Sequence, residues 1–144
     1  MKTYSYKELE QQKFIKLNND YLNREFIRQH NIDSVLILSI LLRNYTARGE
    51  IVFNINYLLD VLEVKKTNTN RINKIKHTLN SLAATKVLDT GIDFMSIKND
   101  DIVRVDYELA KEHFTIVYDF EVDAILNADT TVDKYAMFYL FVFI

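Results

Sequence analysis

Apolar residues fall at helical spacing in four stretches of the chain, and short β-prone runs lie among them. Phe14-Ile15-Lys16-Leu17 predicts a short strand. A helix is expected to begin near Asn19 or Asp20, with Tyr21, Leu22, Phe26 and Ile27 as its apolar stripe. Asp33 or Ser34 is then placed to cap a strongly apolar helix through Val35, Leu36, Leu38, Ile40, Leu41, Leu42 and Tyr45. That helix has too few polar positions for a solvent face, so it belongs in the core. Thr46 to Glu50 supplies a turn at Gly49, and Ile51-Val52-Phe53 predicts a second short strand.

Asn54 suits the N-cap of a helix carrying Ile55, Leu58, Leu59, Val61 and Leu62. Only Val64 to Thr67 separates it from another helix, whose cap lies among Thr67, Asn68 and Thr69. In this second helix Ile72, Ile75, Leu79 and Leu82 form a narrow apolar stripe. With Ile72 set at zero and about 100° per residue, Asn70, Asn73, Lys74, His77 and Ser81 fall between about 100° and 200°. After Val87, Leu88 and Gly91, a hairpin is expected from Phe94 to Ile97, a turn at Lys98-Asn99-Asp100-Asp101, and Ile102 to Val105. Phe114 to Phe120 reads as a further strand and Glu121 to Leu126 as a short helix.

Length fits one domain: 144 residues, 49% of them apolar, suffice for a single core. There is no Pro and no low-complexity linker. The formal charge of −2 conceals a division at Lys86. The first 86 residues hold 14 basic and 8 acidic side chains, and the remainder holds 4 basic and 12 acidic ones. Val64 to Lys86 alone carries Lys65, Lys66, Arg71, Lys74, Lys76 and Lys86 without one Asp or Glu, a local positive field.

The order of helix, short strand, helix, tight turn, helix and hairpin is that of a winged helix-turn-helix. Four strings carry the likeness: F-I-K-L at Phe14 to Leu17, I-L-x-x-L-L-R-N-Y at Ile37 to Tyr45, F-N-I-N-Y-L-L at Phe53 to Leu59, and T-N-T-N-R-I-N-K-I-K-x-x-L-x-x-L at Thr67 to Leu82. Over Phe14 to about Phe120 the chain resembles the winged helix-turn-helix family, most of all the N-terminal winged-helix domains of plasmid and phage replication initiators. The resemblance implies an α+β, mostly helical fold with a small antiparallel β-wing, and a protein of DNA replication or of transcriptional regulation. It places a winged-helix domain at 1–126 and a C-terminal apolar helix at 127–144.

The chemistry expected of the recognition helix follows from the duplex. A major groove admits one α-helix, base edges require donors and acceptors near its N-terminus, and phosphates require flanking cations. Thr67, Asn70, Arg71, Asn73, Lys74 and His77 meet the first need, with Asn suited to adenine and Arg to guanine. Thr69 and the first helical amides suit a phosphate. Lys65, Lys66 and Lys76 would serve the backbone, as would Lys98 and Arg104 on the wing. Double-stranded DNA is therefore the expected partner. Asp93, Asp100 and Asp101 oppose insertion of the wing into a minor groove, so a protein-docking or dimerisation module is the alternative.

The segment Tyr135 to Ile144 has no charge, and ten helical residues span about 15 Å against about 30 Å of hydrocarbon, too short to cross a membrane. Its pattern from Val132 repeats the helix opening at Ile32, which suits either the first helix of a second winged helix or a homodimer contact through Met137, Phe138, Leu140 and Phe141. The polar opening from Met1 to Glu8 and the absence of Cys are expected of a cytoplasmic protein. Catalytic and metal sites are not expected: His30, His77 and His113 lie 47 and 36 residues apart, far from any metal-ligand spacing. No three-glycine dinucleotide fingerprint or phosphate-binding P-loop string occurs, so neither enzyme activity nor a cofactor is expected.

Overall fold

The computed structural model describes residues 14–21, 25, 32–109 and 111–127. In order these form β1 (Phe14–Asn18), a 3-10 turn (Asn19–Tyr21), α1 (Ile32–Leu42), β2 (Glu50–Phe53), α2 (Ile55–Val61), α3 (Thr69–Ala84), β3 (Val103–Asp106), β4 (Phe114–Tyr118) and α4 (Asp119–Leu126). The fold is α+β: among the described residues, four helices pack with two antiparallel two-stranded sheets.

Helix α1 is buried from Ser34 to Leu42, as its apolar composition requires. Its buried Ser39 hydroxyl is satisfied by donating to the Val35 carbonyl at 2.9 Å, which removes the desolvation cost of a lone hydroxyl. The helix already includes Ile32, so Asp33 and Ser34 lie within the first turn instead of capping it. It stops at Leu42, and Tyr45 falls beyond its end, bridged to Ile51. Around α1 gather Ile51 and Phe53 of β2, Ile55, Leu58 and Leu59 of α2, and Ile72, Ile75, Leu79 and Leu82 of α3, all in one buried cluster.

The sheets pair strands distant in sequence. β1 lies against β4 with Phe14 opposite Tyr118 and Asn18 opposite Phe114, which ties the start of the described chain to its end. Ile15, Leu17 and Val117 bury the inner face. On the outer face Phe14 meets Tyr118 edge-on at 6.2 Å and Tyr118 stacks on Phe120 at 5.5 Å. Helix α4 is fastened back onto α1 by Arg43, which pairs with Asp123 at 3.0 Å and Asp119 at 3.8 Å.

The expected hairpin is not formed. β3 pairs instead with β2, Glu50 opposite Asp106 and Phe53 opposite Val103, and Asp106 is bridged on its other side by Asp89. Residues 94–97 make a turn, because the Asp93 carboxylate caps it: Met95 N–H donates to Oδ1 at 3.0 Å and the Ser96 hydroxyl to Oδ2 at 2.9 Å. Phe94, expected on a strand, plugs the core and stacks on Phe53 at 6.2 Å.

Among the described residues, no helix is long and apolar enough to cross a membrane. The expected helix through Leu22, Phe26 and Ile27 and the apolar segment with Met137, Phe138, Leu140 and Phe141 lie outside the described residues. Within the first of these, Asn19–Tyr21 is the 3-10 turn.

Candidate nucleic-acid interface

The connection from α2 to α3 is set by local chemistry. Asn54 caps α2 by accepting from Tyr57 N–H at 2.8 Å. The helix ends where Glu63 turns left-handed (φ 54) and Val64 N–H donates back to the Leu59 carbonyl at 2.8 Å, burying Val64. A second turn follows, closed by Asn68 N–H on the Lys65 carbonyl at 2.9 Å, and it holds Lys65, Lys66 and Thr67 in solvent.

Asn68 then caps α3, its Oδ1 accepting from Arg71 N–H at 3.2 Å. The first turn of α3 contains no acidic residue, so the helix does not neutralise the positive end of its own dipole. Thr69, Asn70, Arg71, Lys74 and His77 are exposed along this end and Asn73 is half-buried, while Ile72, Ile75, Leu79 and Leu82 face inward as expected. Among the described residues, Lys65, Lys66, Arg71 and Lys74 make no ion pair. The result is one connected surface of amides, hydroxyls and unpaired cations at a helix N-terminus.

Two expected contacts, Lys76 and Arg104, are placed elsewhere, and Lys98 stays in an exposed loop. Lys76 is only 9% exposed, and its Nζ lies 3.4 Å from the Ile97 carbonyl. Its position beside Ile72 on the helix wheel, four residues on, puts it at the edge of the buried stripe and against the 94–97 segment, so it is not on the basic surface. Arg104 sits on β3 beside Glu50 at 3.6 Å, not on a hairpin tip. Lys98 is exposed in the following loop, its N–H held by the Asp101 carboxylate at 2.9 Å.

That loop is tied to α3 and α2 by hydrogen bonds. Asn80 of α3 accepts from Phe94 N–H at 2.8 Å and donates to Asp93 at 3.0 Å, and Asn56 N–H donates to the Asn99 carbonyl at 3.0 Å. The Asn80 amide, with Met95 N–H and the Ser96 hydroxyl, holds the Asp93 carboxyl below its ordinary pKa, and nearby His77 adds a smaller electrostatic contribution. Asn80 carried no sequence signal, since its partner is 13 residues away and not on a repeating pattern.

Compared with family models, with curated proteins and with solved structures, the chain gives no match. The reading of this surface therefore rests on its own geometry and charge.

Proposed function

We propose that this chain is a double-stranded DNA-binding protein of the winged-helix type, acting in the cytoplasm in replication initiation or in transcriptional control, with the N-terminal half of α3 seated in a major groove. The observation that carries the reading is the exposed cluster of Lys65, Lys66, Arg71, Lys74 and His77, from a run of the chain without an acidic residue, at a capped helix N-terminus. Asn70 and Arg71 present base-reading groups, Lys65, Lys66 and Lys74 present charge to phosphates, and Thr67, Thr69, Asn73 and His77 supply further donors. The α1-β2-α2-turn-α3-β3 order and the β2–β3 pairing support the fold type, with 94–102 in the position of a short wing. Self-association through the apolar residues Met137, Phe138, Leu140 and Phe141 would bring two such helices onto paired half-sites.

A second reading, docking of another protein, is favoured by the loop after α3. Ile102 is 70% exposed and Met95 37%, and they stand among the exposed carboxylates Asp93, Asp100 and Asp101, which a DNA groove would repel.

Fluorescence anisotropy with a pool of random duplexes tests the proposal. Binding that falls steeply with salt is the expected result, and Asn70→Ala should flatten the preference among sequences by about 1 to 3 kcal/mol at one base pair while leaving non-specific affinity nearly intact. No binding at low salt refutes DNA recognition and leaves the docking reading.

A further inference from the structure

A cleft of about 1120 Å³ opens where the turn before β2, the turn after α3 and the segment following β3 meet. It lies beyond the C-terminus of α3, and the last seven residues of that helix, about 10 Å, separate it from His77 at the near edge of the basic surface. Four cations line it: Lys16, whose Nζ lies over the Phe114 ring at 4.7 Å, and Arg48, Lys86 and Lys111, these three each from a different segment and each exposed. Asp89, Asp106 and Glu108 line it as well. No ion pair joins Arg48, Lys86 or Lys111 to these carboxylates, and none of these six side chains makes a hydrogen bond among the described residues. Opposite charges crowded into one cleft without neutralising each other leave both sets of groups available to a third party.

Lys86 adds a second observation. Its backbone is left-handed (φ 62) in the turn that ends α3, with Lys86 N–H donating to the Ala83 carbonyl at 3.1 Å and Val87 N–H to the Leu82 carbonyl at 2.9 Å. Glycine is the usual residue where a helix ends in this conformation, yet a lysine stands here and lines the cleft. Strain kept at a side chain that reaches a cavity points to use of that side chain.

We propose that this cleft binds a small phosphate ester bearing hydroxyl or amino donors, of the nucleoside phosphate class. Arg48, Lys86 and Lys111 receive the phosphate oxygens through charge-assisted hydrogen bonds, and the carboxylates accept from the ligand's hydroxyl or amino groups. Tyr45 and Tyr107, in edge contact at 6.4 Å, form part of the wall and offer aromatic surface to a planar base. The site is independent of the DNA reading, since it shares no residue with the surface at the start of α3.

Titration calorimetry with a ribonucleoside diphosphate and, separately, with inorganic pyrophosphate tests it on the full chain. Saturable binding of the nucleotide is expected, weakened about tenfold by Arg48→Ala or by Lys86→Gly, each removing one charge-assisted contact. Lys86→Gly also relieves the left-handed backbone, so a folded protein with lost affinity separates binding from stability. Glu108→Gln should weaken the nucleotide and strengthen pyrophosphate, because pyrophosphate gains from the lost negative charge and has no donor to lose. Lys65→Ala should change neither, which keeps this result distinct from duplex binding. Absence of saturable nucleotide binding at millimolar concentration overturns the proposal. So do equal affinities in all the variants, or an Arg48→Ala defect seen with duplex DNA alone, which would assign the cation to a DNA backbone.

Discussion

Replacing Arg71 and Lys74 together with Ala gives the sharpest test of the α3 surface. Both side chains are exposed and neither is ion-paired, so their loss should leave the fold within about 0.5 kcal/mol of its original stability. Four cations, Lys65, Lys66, Arg71 and Lys74, flank the proposed groove contact. If each neutralises one phosphate, log K falls with log salt at a slope of about −3.6, and the double variant at about −1.8. Raising salt from about 50 to about 200 mM should then weaken the parent about 150-fold and the variant only about 12-fold. Anisotropy titrations at four salt concentrations measure both slopes on the same duplex, and thermal melts establish that the variant is folded. An unchanged slope in a folded double variant refutes the assignment of this face, whatever the absolute affinity, because counterion release depends on contacts made and not on sequence preference.

Leu79 is fully buried between α3 and α1, so Leu79→Ala should cost about 2 to 5 kcal/mol in urea unfolding, and a loss near zero would mean that α3 presents another face to the core. The Asp93 carboxyl is held below its ordinary value by the Asn80 amide first, so its contribution is complete above about pH 4 and disappears as pH falls through the lowered folded-state value. Asp93→Ala should therefore show a shallower loss of stability between about pH 4 and pH 2 in acid melts, and a parallel acid limb in both proteins would contradict the capping role. Glu121 is shifted the other way, upward through burial, against the opposing hydrogen bond from Tyr118 N–H. Its charged form is disfavoured in the folded state, so Glu121→Gln should gain stability over the parent as pH rises above about 4.3 and match it below, as thermal melts across that range would show. Ending the chain at Thr130 should convert a dimer into a monomer in sedimentation velocity, and a full-length chain that is monomeric at high concentration removes the apolar tail from the account.

The helices were legible because their signals are local. Asn54 and Asn68 mark their own helix starts, and the stripe Ile72, Ile75, Leu79 and Leu82 repeats within a few turns, so no distant partner was needed to place it. The basic surface was legible for the same reason: a continuous run of the chain builds it. The expected hairpin fails because the burial pattern of 94–97 does not alternate. Phe94 is buried and Ile97 half-buried, three residues apart, while Met95 and Ser96 between them are exposed, which is the spacing of a turn and not of a strand.

β3 shows why the true partner was out of reach. Its residues alternate strictly, Val103 and Val105 inward, Arg104 and Asp106 outward, and any strand with a matching inner face satisfies that pattern. β2 matches it, with Ile51 opposite Val105 and Phe53 opposite Val103, about 50 residues earlier in the chain. The nearer segment was a better candidate on loop entropy alone. Its Phe94 is nevertheless committed to the stack on Phe53, and its Asp93 to Asn80 and the capped turn. The cleft beside Arg48, Lys86 and Lys111 is a product of that same long-range pairing, since Gly49 and Tyr107 are joined by a 2.9 Å backbone hydrogen bond across the sheet end. Residues at 48, 86 and 111 share no motif, so only the folded sheet could assemble them.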